Sequence, residues 1–347
     1  MEGNISNLTN TSSLSVTEAE YKYFMKNIYT FIYLLIIAVI GTFGNAHVII
    51  VYWIHYKSSR HRVFITFLAA VDIIPCALLV PYTIAFSIVR RFSFQNDASC
   101  KIDVFLTQAL GFSSIGILTL FSLERYYTIC RAKTKYCSLF QIKVLCFVTI
   151  GCASLMCCPN LVYFGNDYAI QDPKEMFWKM CTILKPYRNT DTFKMFFKVG
   201  LGVSLLLFLI SAIAYARLGG YLRTHRRLPA FVNRLSLGSR RTRNSTYDKS
   251  TRTILTYFVA TLLSFMLYLA VHFLVFFLTV LNGATIIRTL GSFYGICLRL
   301  NFASHAVNPI VYGFMDNKFR QRCRLIYKCP HRNVGDRRAS TIQMINK

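Results

Sequence analysis

Seven long apolar stretches divide this chain of 347 residues and leave little sequence for a soluble core. A helix needs about 20 apolar residues to cross a bilayer, and each stretch meets or approaches that length. Charged residues make up only 16% of the chain, too few to cover a soluble protein of this size. We therefore predict an all-α membrane protein, a bundle of seven transmembrane helices with spans at 27–55, 62–89, 100–130, 139–164, 193–218, 253–281 and 285–312.

The distribution of charge predicts which side of the membrane each loop faces. The net charge is +26, and most of the 40 lysines and arginines lie after spans one, three and five and in the tail. The positive-inside rule places these segments in the cytoplasm. We predict a plasma-membrane protein with an extracellular N-terminus at 1–26, the bundle at 27–312, and an amphipathic helix with a cytoplasmic tail at 313–347. Because no basic patch lies on a soluble domain, the charge does not indicate a nucleic-acid partner.

The N-terminal segment carries three consecutive glycosylation sequons, which begin at Asn4, Asn7 and Asn10. Glycosylation of these asparagines fits an extracellular location. The surrounding Ser, Thr and Asn residues predict a disordered stretch. The sequence shows no cleavable signal peptide, so we expect span one to act as a signal anchor.

The last span ends in the string Asn308-Pro309-Ile310-Val311-Tyr312. Pro309 removes a helix hydrogen bond, and Asn308 places an amide among apolar side chains. A membrane helix carries such a pair where neighbouring helices or water satisfy the freed groups. The string therefore predicts a polar, movable joint inside the bundle.

Seven spans closed by this string resemble the rhodopsin-like (class A) G-protein-coupled receptors, over about residues 27–325. The tripeptide Glu124-Arg125-Tyr126 resembles the family's Asp/Glu-Arg-Tyr motif, and Cys100 precedes Arg125 by the family's spacing. Further matches are Gly44-Asn45, Asp72 and the amphipathic segment from Phe314 to Cys323. The matches are weak singly and specific together, and they identify a divergent member most similar to neuropeptide receptors of invertebrates.

The chain also departs from the family pattern. Span four has no Trp, and span five has Leu207 where the family has a Pro. Span six lacks the Cys-Trp-x-Pro element, and the residues from Phe265 to His272 occupy that region. The Trp and Pro belong to the family's activation switch, so Tyr268 or Leu269 is the candidate residue to take their role in this chain.

The resemblance implies an extracellular ligand, activation of a heterotrimeric G protein and no enzymatic activity. It implies a disulfide between Cys100 and Cys181, which both lie on the predicted outer side, where oxidation is permitted. The spans show neither internal repeats nor clustered His, Asp and Glu, which disfavours a transporter and a membrane enzyme. A channel or transporter remains the alternative from a different class.

The resemblance also assigns roles at the inner end of the bundle. Arg125 is expected to leave Glu124 on activation and to pack against Tyr215, Tyr312 and the G protein. No acid stands at the start of span six as a second partner for Arg125, and Asp248 is the nearest candidate.

Polar residues on spans two, three and seven are predicted to meet near mid-membrane: Asp72, Ser114, Ser304 and Asn308. An ionisable group at that depth is costly and marks a functional site. The resemblance implies a sodium ion or water at this pocket, with Asp72 and Ser114 as candidate ligands and sodium as the candidate allosteric cofactor. A satisfied hydrogen-bond network without an ion is the other interpretation.

Two features of the sequence disfavour an amine ligand and retinal. Thr107 stands where amine receptors of the family have an aspartate, and residues 285–312 contain no Lys that could carry retinal. The polar residues expected to face the ligand cavity are Asp103, Thr107, Gln108, His272 and Arg299. A short neuropeptide is the leading ligand class, and a lipid or environmental small molecule is the alternative.

Acids in the outer loops bear on that choice. These acids are Asp167, Asp172, Glu175 and Asp191. Together with Asp103 they would suit a basic peptide, but charged residues on a solvent-exposed loop surface are equally expected without a ligand.

The cytoplasmic segments suggest further partners. The basic loop at about 219–252 fits both attraction to lipid headgroups and a docking surface for the G protein. Cys323 and Cys329 accompany the basic amphipathic segment Lys318–Arg324, a setting for palmitoylation. Phosphorylation at Ser340, within Arg337-Arg338-Ala339-Ser340, would make a receptor kinase and arrestin candidate partners.

Overall fold

A computed structural model describes residues 5–56, 58–88, 97–131, 137–168, 179–188, 190–232, 256–274 and 294–327. Six helices in these residues are long and apolar enough to cross a membrane. The described part of the seventh predicted span is helical as well. The spans lie, in order, in Ile5–His55, Arg60–Ile88, Asp97–Cys130, Leu139–Tyr163, Asp191–Val232, Thr256–Leu274 and the pair Tyr294–Cys297 and Leu300–Met315.

The first helix begins at Ile5, well before the predicted start of span one at residue 27. The prediction of a disordered N-terminal stretch is therefore wrong for the residues that the structure describes. Forming the first turn is the unfavourable step of helix formation, and the long apolar segment provides that first turn. Each polar residue added to the helix afterwards contributes one further hydrogen bond. Asn7 and Asn10 lie on this extension, and Asn4 lies outside the described residues.

Span two changes its winding at Pro75. The helix Arg60–Ile74 passes into a π-helical segment at Pro75–Leu79 and returns to α geometry at Val80–Ile88. A proline cannot donate to the preceding turn, and a widened turn accommodates its ring. This turn presents Cys76 to span one, where a Cβ atom on Gly41 would overlap the Cys76 sulfur.

Span three forms the centre of the bundle. All residues from Ala109 to Thr119 are buried, which a helix achieves only when other helices surround it. Spans one, four and five instead carry large apolar side chains on their outer faces. Phe43 of span one and Phe140 and Leu155 of span four are each more than 70% exposed, and Met195 and Ile213 of span five are each 59% exposed. Such faces suit lipid contact.

A β-hairpin covers the outer end of span three. Strand β1, Phe164–Tyr168, pairs antiparallel with β2, Lys179–Ile183, and Asn166 faces Cys181. The disulfide between Cys100 and Cys181 ties β2 to span three and confirms the predicted pairing. Asp97 Oδ1 also accepts a hydrogen bond of 3.1 Å from the Asn166 amide.

The amphipathic helix after span seven runs from Asn317 to Tyr327, later than the predicted segment from Phe314 to Cys323. Asp316 sets its start, because its carboxylate accepts a hydrogen bond of 3.2 Å from the Phe319 amide. Phe319 is buried against the bundle, and Cys323 packs partly against the same core. Burial raises the pKa of the Cys323 thiol. Cys329 and Ser340 lie outside the described residues.

Candidate functional site

A small, partly open pocket lies between spans three, four, five and six. Two predicted ligand residues, Gln108 and His272, are part of its lining. The rest is mostly aromatic and apolar, which suits an aromatic or aliphatic ligand group. The full lining is Gln108, Phe112, Met156, Cys157, Asn160, Phe196, Phe197, Gly200 and His272.

The other three predicted ligand residues lie outside the lining of this cavity. Asp103 and Arg299 interact electrostatically across spans three and seven. Asp103 Oδ1 and Thr107 Oγ1 are buried and have no hydrogen-bond partner among the described residues. Buried polar atoms without partners are costly, so these two atoms are suited to meet a ligand or water.

The described loop acids have partners of their own. Asp167 accepts a hydrogen bond of 3.0 Å from the Lys185 amide, which stabilises the turn after the hairpin. Asp191 lies in the first turn of span five, where the helix dipole favours a negative charge. Asp172 and Glu175 lie outside the described residues.

Tyr268 joins span six to span three beside the cavity. Its hydroxyl donates to Gln108 Oε1 at 3.2 Å, and its ring centre lies 4.4 Å from that of His272. The ring lies against Gly111, where any added Cβ would overlap it. Of the two candidate substitutes for the family's Trp, Tyr268 is the one with a hydrogen bond to the cavity wall; Leu269 is buried near it.

Both carboxylate oxygens of buried Asp72 accept hydrogen bonds from span seven. His305 Nδ1 lies 2.8 Å from Oδ1, and Asn308 Nδ2 lies 2.8 Å from Oδ2. Because a carboxylate only accepts, Nδ1 of His305 carries the proton of the first bond. Asn45 links span one to this group. Its side-chain amide donates to the carbonyl oxygens of His305 at 2.8 Å and of Gly41 at 2.9 Å.

The donor set around Asp72 does not fit a sodium ion. Hard cations take oxygen ligands, whereas both Asp72 oxygens face N–H donors. Ser114 is buried on span three, and Ser304 donates instead to the Asn301 carbonyl at 2.6 Å. Groups of three or more His, Cys, Asp or Glu arranged to hold a metal are absent from the described part of the chain. Sodium binding by Asp72 and Ser114 is thus an untested expectation of the family resemblance, and this donor set disagrees with it.

The sequence analysis missed His305. The available signal was its position three residues before Asn308, which places both on one face of span seven. An examination of the residues one helical turn before Asn308 would have identified His305 as a candidate.

The helix of span seven continues through Pro309. Span one approaches closely at this point, because a Cβ atom on Gly44 would lie 2.8 Å from the Pro309 ring. Tyr312, one turn further, is buried with its ring centre 5.6 Å from that of Tyr257 on span six. The segment from Asn308 to Tyr312 therefore contacts Asp72 at one end and Tyr257 of span six at the other.

At the inner end of span three, Arg125 binds Glu124. Nε of Arg125 donates to Glu124 Oε2 at 2.6 Å, and Thr128 donates to Oε1 at 2.9 Å. A second cation, Arg60 of span two, lies 3.5 Å from Oε1. Glu124 therefore keeps a positively charged neighbour if Arg125 moves away. Tyr126 packs edge-on against Tyr127.

Span six is held at its inner end by a tyrosine and a histidine. The Tyr257 hydroxyl lies 2.9 Å from His61 Nε2 on span two and 3.2 Å from the Tyr52 hydroxyl on span one. Higher up, the Tyr215 hydroxyl of span five lies 3.4 Å from Thr261 Oγ1. The sequence analysis looked for an acid at this position and did not consider neutral hydrogen-bonding groups.

Residues 44–312 match the protein family described as "7 transmembrane receptor (rhodopsin family)". The chain belongs to this family. It is therefore a multi-pass membrane receptor coupled to G proteins and is not an enzyme. The match spans the bundle from Gly44 to Tyr312 and confirms the predicted seven-helix fold and receptor class.

Individual relatives are distant from this receptor. C-C chemokine receptor type 9 of Mus musculus is 22% identical over 82% of this chain and 73% of its own length. Type-1 angiotensin II receptor A of Mus musculus is 23% identical over 82% of this chain and 77% of its own length. Alpha-2B adrenergic receptor of Talpa europaea is 30% identical, but over 36% of this chain and 32% of its own length. These identities fit a divergent member, and the likeness to invertebrate neuropeptide receptors stays a prediction.

Proposed function

We propose that this receptor binds a short extracellular peptide between the β-hairpin and Gln108 and activates a heterotrimeric G protein. The observation that carries the peptide class is an acid on span three and a base on span seven, Asp103 and Arg299, with Asp103 Oδ1 buried and without a hydrogen-bond partner among the described residues. A peptide offers groups of both signs together with apolar side chains. The aromatic cavity beside Gln108 and His272 suits one such side chain.

The relatives support the same class. Two receptors with broad coverage are named for a chemokine and for angiotensin II, and a neuropeptide Y receptor of Mus musculus is 27% identical over 96 residues. The adrenergic relative favours an amine, but Thr107 stands where an amine receptor has its aspartate. The lipid or small-molecule alternative rests on the apolar cavity walls alone.

The orientation follows from charge. The receptor lies in the plasma membrane with its N-terminus outside, glycosylated at Asn4, Asn7 and Asn10, and with the basic segments in the cytoplasm. Membrane lipids contact the basic loop and the amphipathic helix, where Cys323 and Cys329 are palmitoylated. A receptor kinase and arrestin act on the tail.

Signalling is a shift of population between a closed and an open bundle. A ligand group in the cavity displaces Tyr268 from Gln108 and moves span six. The inner end of span six then leaves His61, and Arg125 leaves Glu124 to meet the G protein. Two of these contacts join span six to spans three and two, and the third joins adjacent residues of span three, so the ligand must stabilise the open arrangement against their sum.

The test is a screen of short peptides and, in parallel, of lipids and small molecules on cells that express the receptor, read by calcium and cyclic AMP. We expect peptide responses that are lost in Asp103→Asn and Arg299→Ala at matched surface expression. Arg125→Ala serves as the control that expresses but does not signal. Responses to lipids alone would overturn the peptide class, and ion currents without a G protein would support a channel.

A further inference from the structure

We propose that His305 takes the place of the allosteric cation beside Asp72, and that this receptor is consequently insensitive to sodium. The inference concerns residues away from the ligand cavity and is independent of the peptide assignment. It differs from the expectation set by the family resemblance, in which Asp72 holds the ion.

The first argument is that Asp72 has its counter-group within the protein. The carboxylate is fully buried, and each oxygen receives an N–H donor at 2.8 Å, one from His305 and one from Asn308. A buried carboxylate is tolerated when it is paired and hydrogen-bonded. Span seven supplies a hydrogen bond to each oxygen, and the His305 ring occupies the position at Oδ1 that a cation would take.

The second argument is that His305 cannot easily move aside. Its backbone carbonyl accepts a hydrogen bond of 2.8 Å from Asn45, which also binds Gly41 in span one. Span seven meets span one just below, where Gly44 leaves room for the Pro309 ring. A sodium ion at Asp72 Oδ1 would face the His305 N–H and would have to displace a fully buried ring from its hydrogen bond with the carboxylate.

A smaller residue would convert this arrangement into an ion site. His305→Ser would free Asp72 Oδ1 and add a hydroxyl oxygen at the same level. The Oδ1 atoms of Asn45 and Asn308 are also buried without a hydrogen-bond partner among the described residues. Carboxylate, hydroxyl and amide oxygens are the ligands that hard cations take.

Sodium binding can be measured without knowing the ligand. The purified full-length receptor is unfolded by heat in increasing NaCl, with choline chloride keeping the ionic strength constant. A thiol-reactive dye reports unfolding through the buried cysteines Cys76, Cys146 and Cys157. An ion that binds only the folded receptor raises the unfolding temperature in a saturable manner.

We expect no sodium-specific change for the wild-type receptor and a saturable rise of several degrees for His305→Ser. The double variant His305→Ser with Asp72→Asn should lose that rise, because the carboxylate is gone. A saturable rise in the wild-type receptor would overturn the proposal, whether or not the variants fold. If His305→Ser does not fold, His305→Asn, which keeps an oxygen ligand, replaces it. A folded His305 variant that stays insensitive to sodium would equally reject the assigned role.

Discussion

The hydroxyl of Tyr257 on span six lies 2.9 Å from Nε2 of His61 on span two. The same hydroxyl lies 3.2 Å from that of Tyr52 on span one, and the Tyr257 ring meets Phe121 of span three edge-on, with 5.1 Å between ring centres. Span six is thus tied to three other spans at the end that must open for a G protein. Hydrogen bonds of Tyr257 to a histidine and to a second tyrosine hold span six here, where the family resemblance would place an acid.

Removing this hydroxyl should raise signalling in the absence of a ligand. Tyr257→Phe keeps the ring and its packing but loses the bonds to His61 and Tyr52. A hydrogen bond contributes about 1 kcal/mol, which corresponds to roughly a fivefold shift towards the open bundle. Nucleotide exchange on a panel of purified G proteins, at matched receptor density, should rise by about that factor.

A matched set of variants separates the hydrogen bond from general loosening. Tyr29→Phe removes an exposed hydroxyl from span one and should leave basal exchange unchanged. His61→Phe should raise exchange as Tyr257→Phe does, and the double variant should add little to Tyr257→Phe, because both variants remove the bond between Tyr257 and His61. Equal basal exchange in Tyr257→Phe and the wild-type receptor would reject this role.

Arg125 should be required for G-protein activation but not for folding. In Arg125→Ala, Glu124 keeps Arg60 at 3.5 Å and Thr128 at 2.9 Å, so no buried carboxylate is left without partners. We expect surface expression close to that of the wild-type receptor. When Arg125→Ala is added to Tyr257→Phe, the raised basal exchange should disappear. Persistent exchange in that double variant would contradict the proposed activation route.

The disulfide should contribute strongly to stability. Cys100 and Cys181 are separated by 81 residues, and closing a loop of that length removes about 4.5 kcal/mol of chain entropy from the unfolded state. Cys100→Ala and Cys181→Ala should each lower the unfolding temperature and the surface expression. Cys152→Ala, which removes an exposed free thiol on span four, is the control and should change neither. Unaltered stability of both disulfide variants would show that the hairpin is held by its other contacts.

Gly111 should tolerate no side chain while Tyr268 is present. An added Cβ would overlap the Tyr268 ring, and overpacking of this kind costs about 1–3 kcal/mol. Gly111→Ala should therefore lower the unfolding temperature of the purified receptor. Gly151→Ala is the matched control, because nothing lies within 4 Å of a Cβ at that helical position. A smaller side chain, in Gly111→Ala combined with Tyr268→Leu, should recover part of the loss.

Local patterns in the sequence determined the spans and the motifs of this receptor. The length of each apolar stretch is enough to predict a helix, since the bilayer leaves few alternatives for a backbone that must satisfy its own hydrogen bonds. The string around Pro309 and the pair Glu124-Arg125 are recognisable for the same reason, because their residues are adjacent. The disulfide could be predicted because the family resemblance implies it and because Cys100 and Cys181 both lie on the predicted outer side, where oxidation is permitted.

The partners of the functional residues were decided only by the tertiary structure. His305 and Asp72 are 233 positions apart, and Tyr257 and His61 are 196 positions apart. Whether such residues meet depends on the rotation of each helix about its axis and on close approaches such as the one at Gly44. A hydrophobic pattern specifies neither the rotation of a helix nor its close approaches, because a membrane-embedded helix is apolar on every face. The sequence therefore specified which helices form, and packing specified that a histidine binds the buried aspartate and that a tyrosine holds span six.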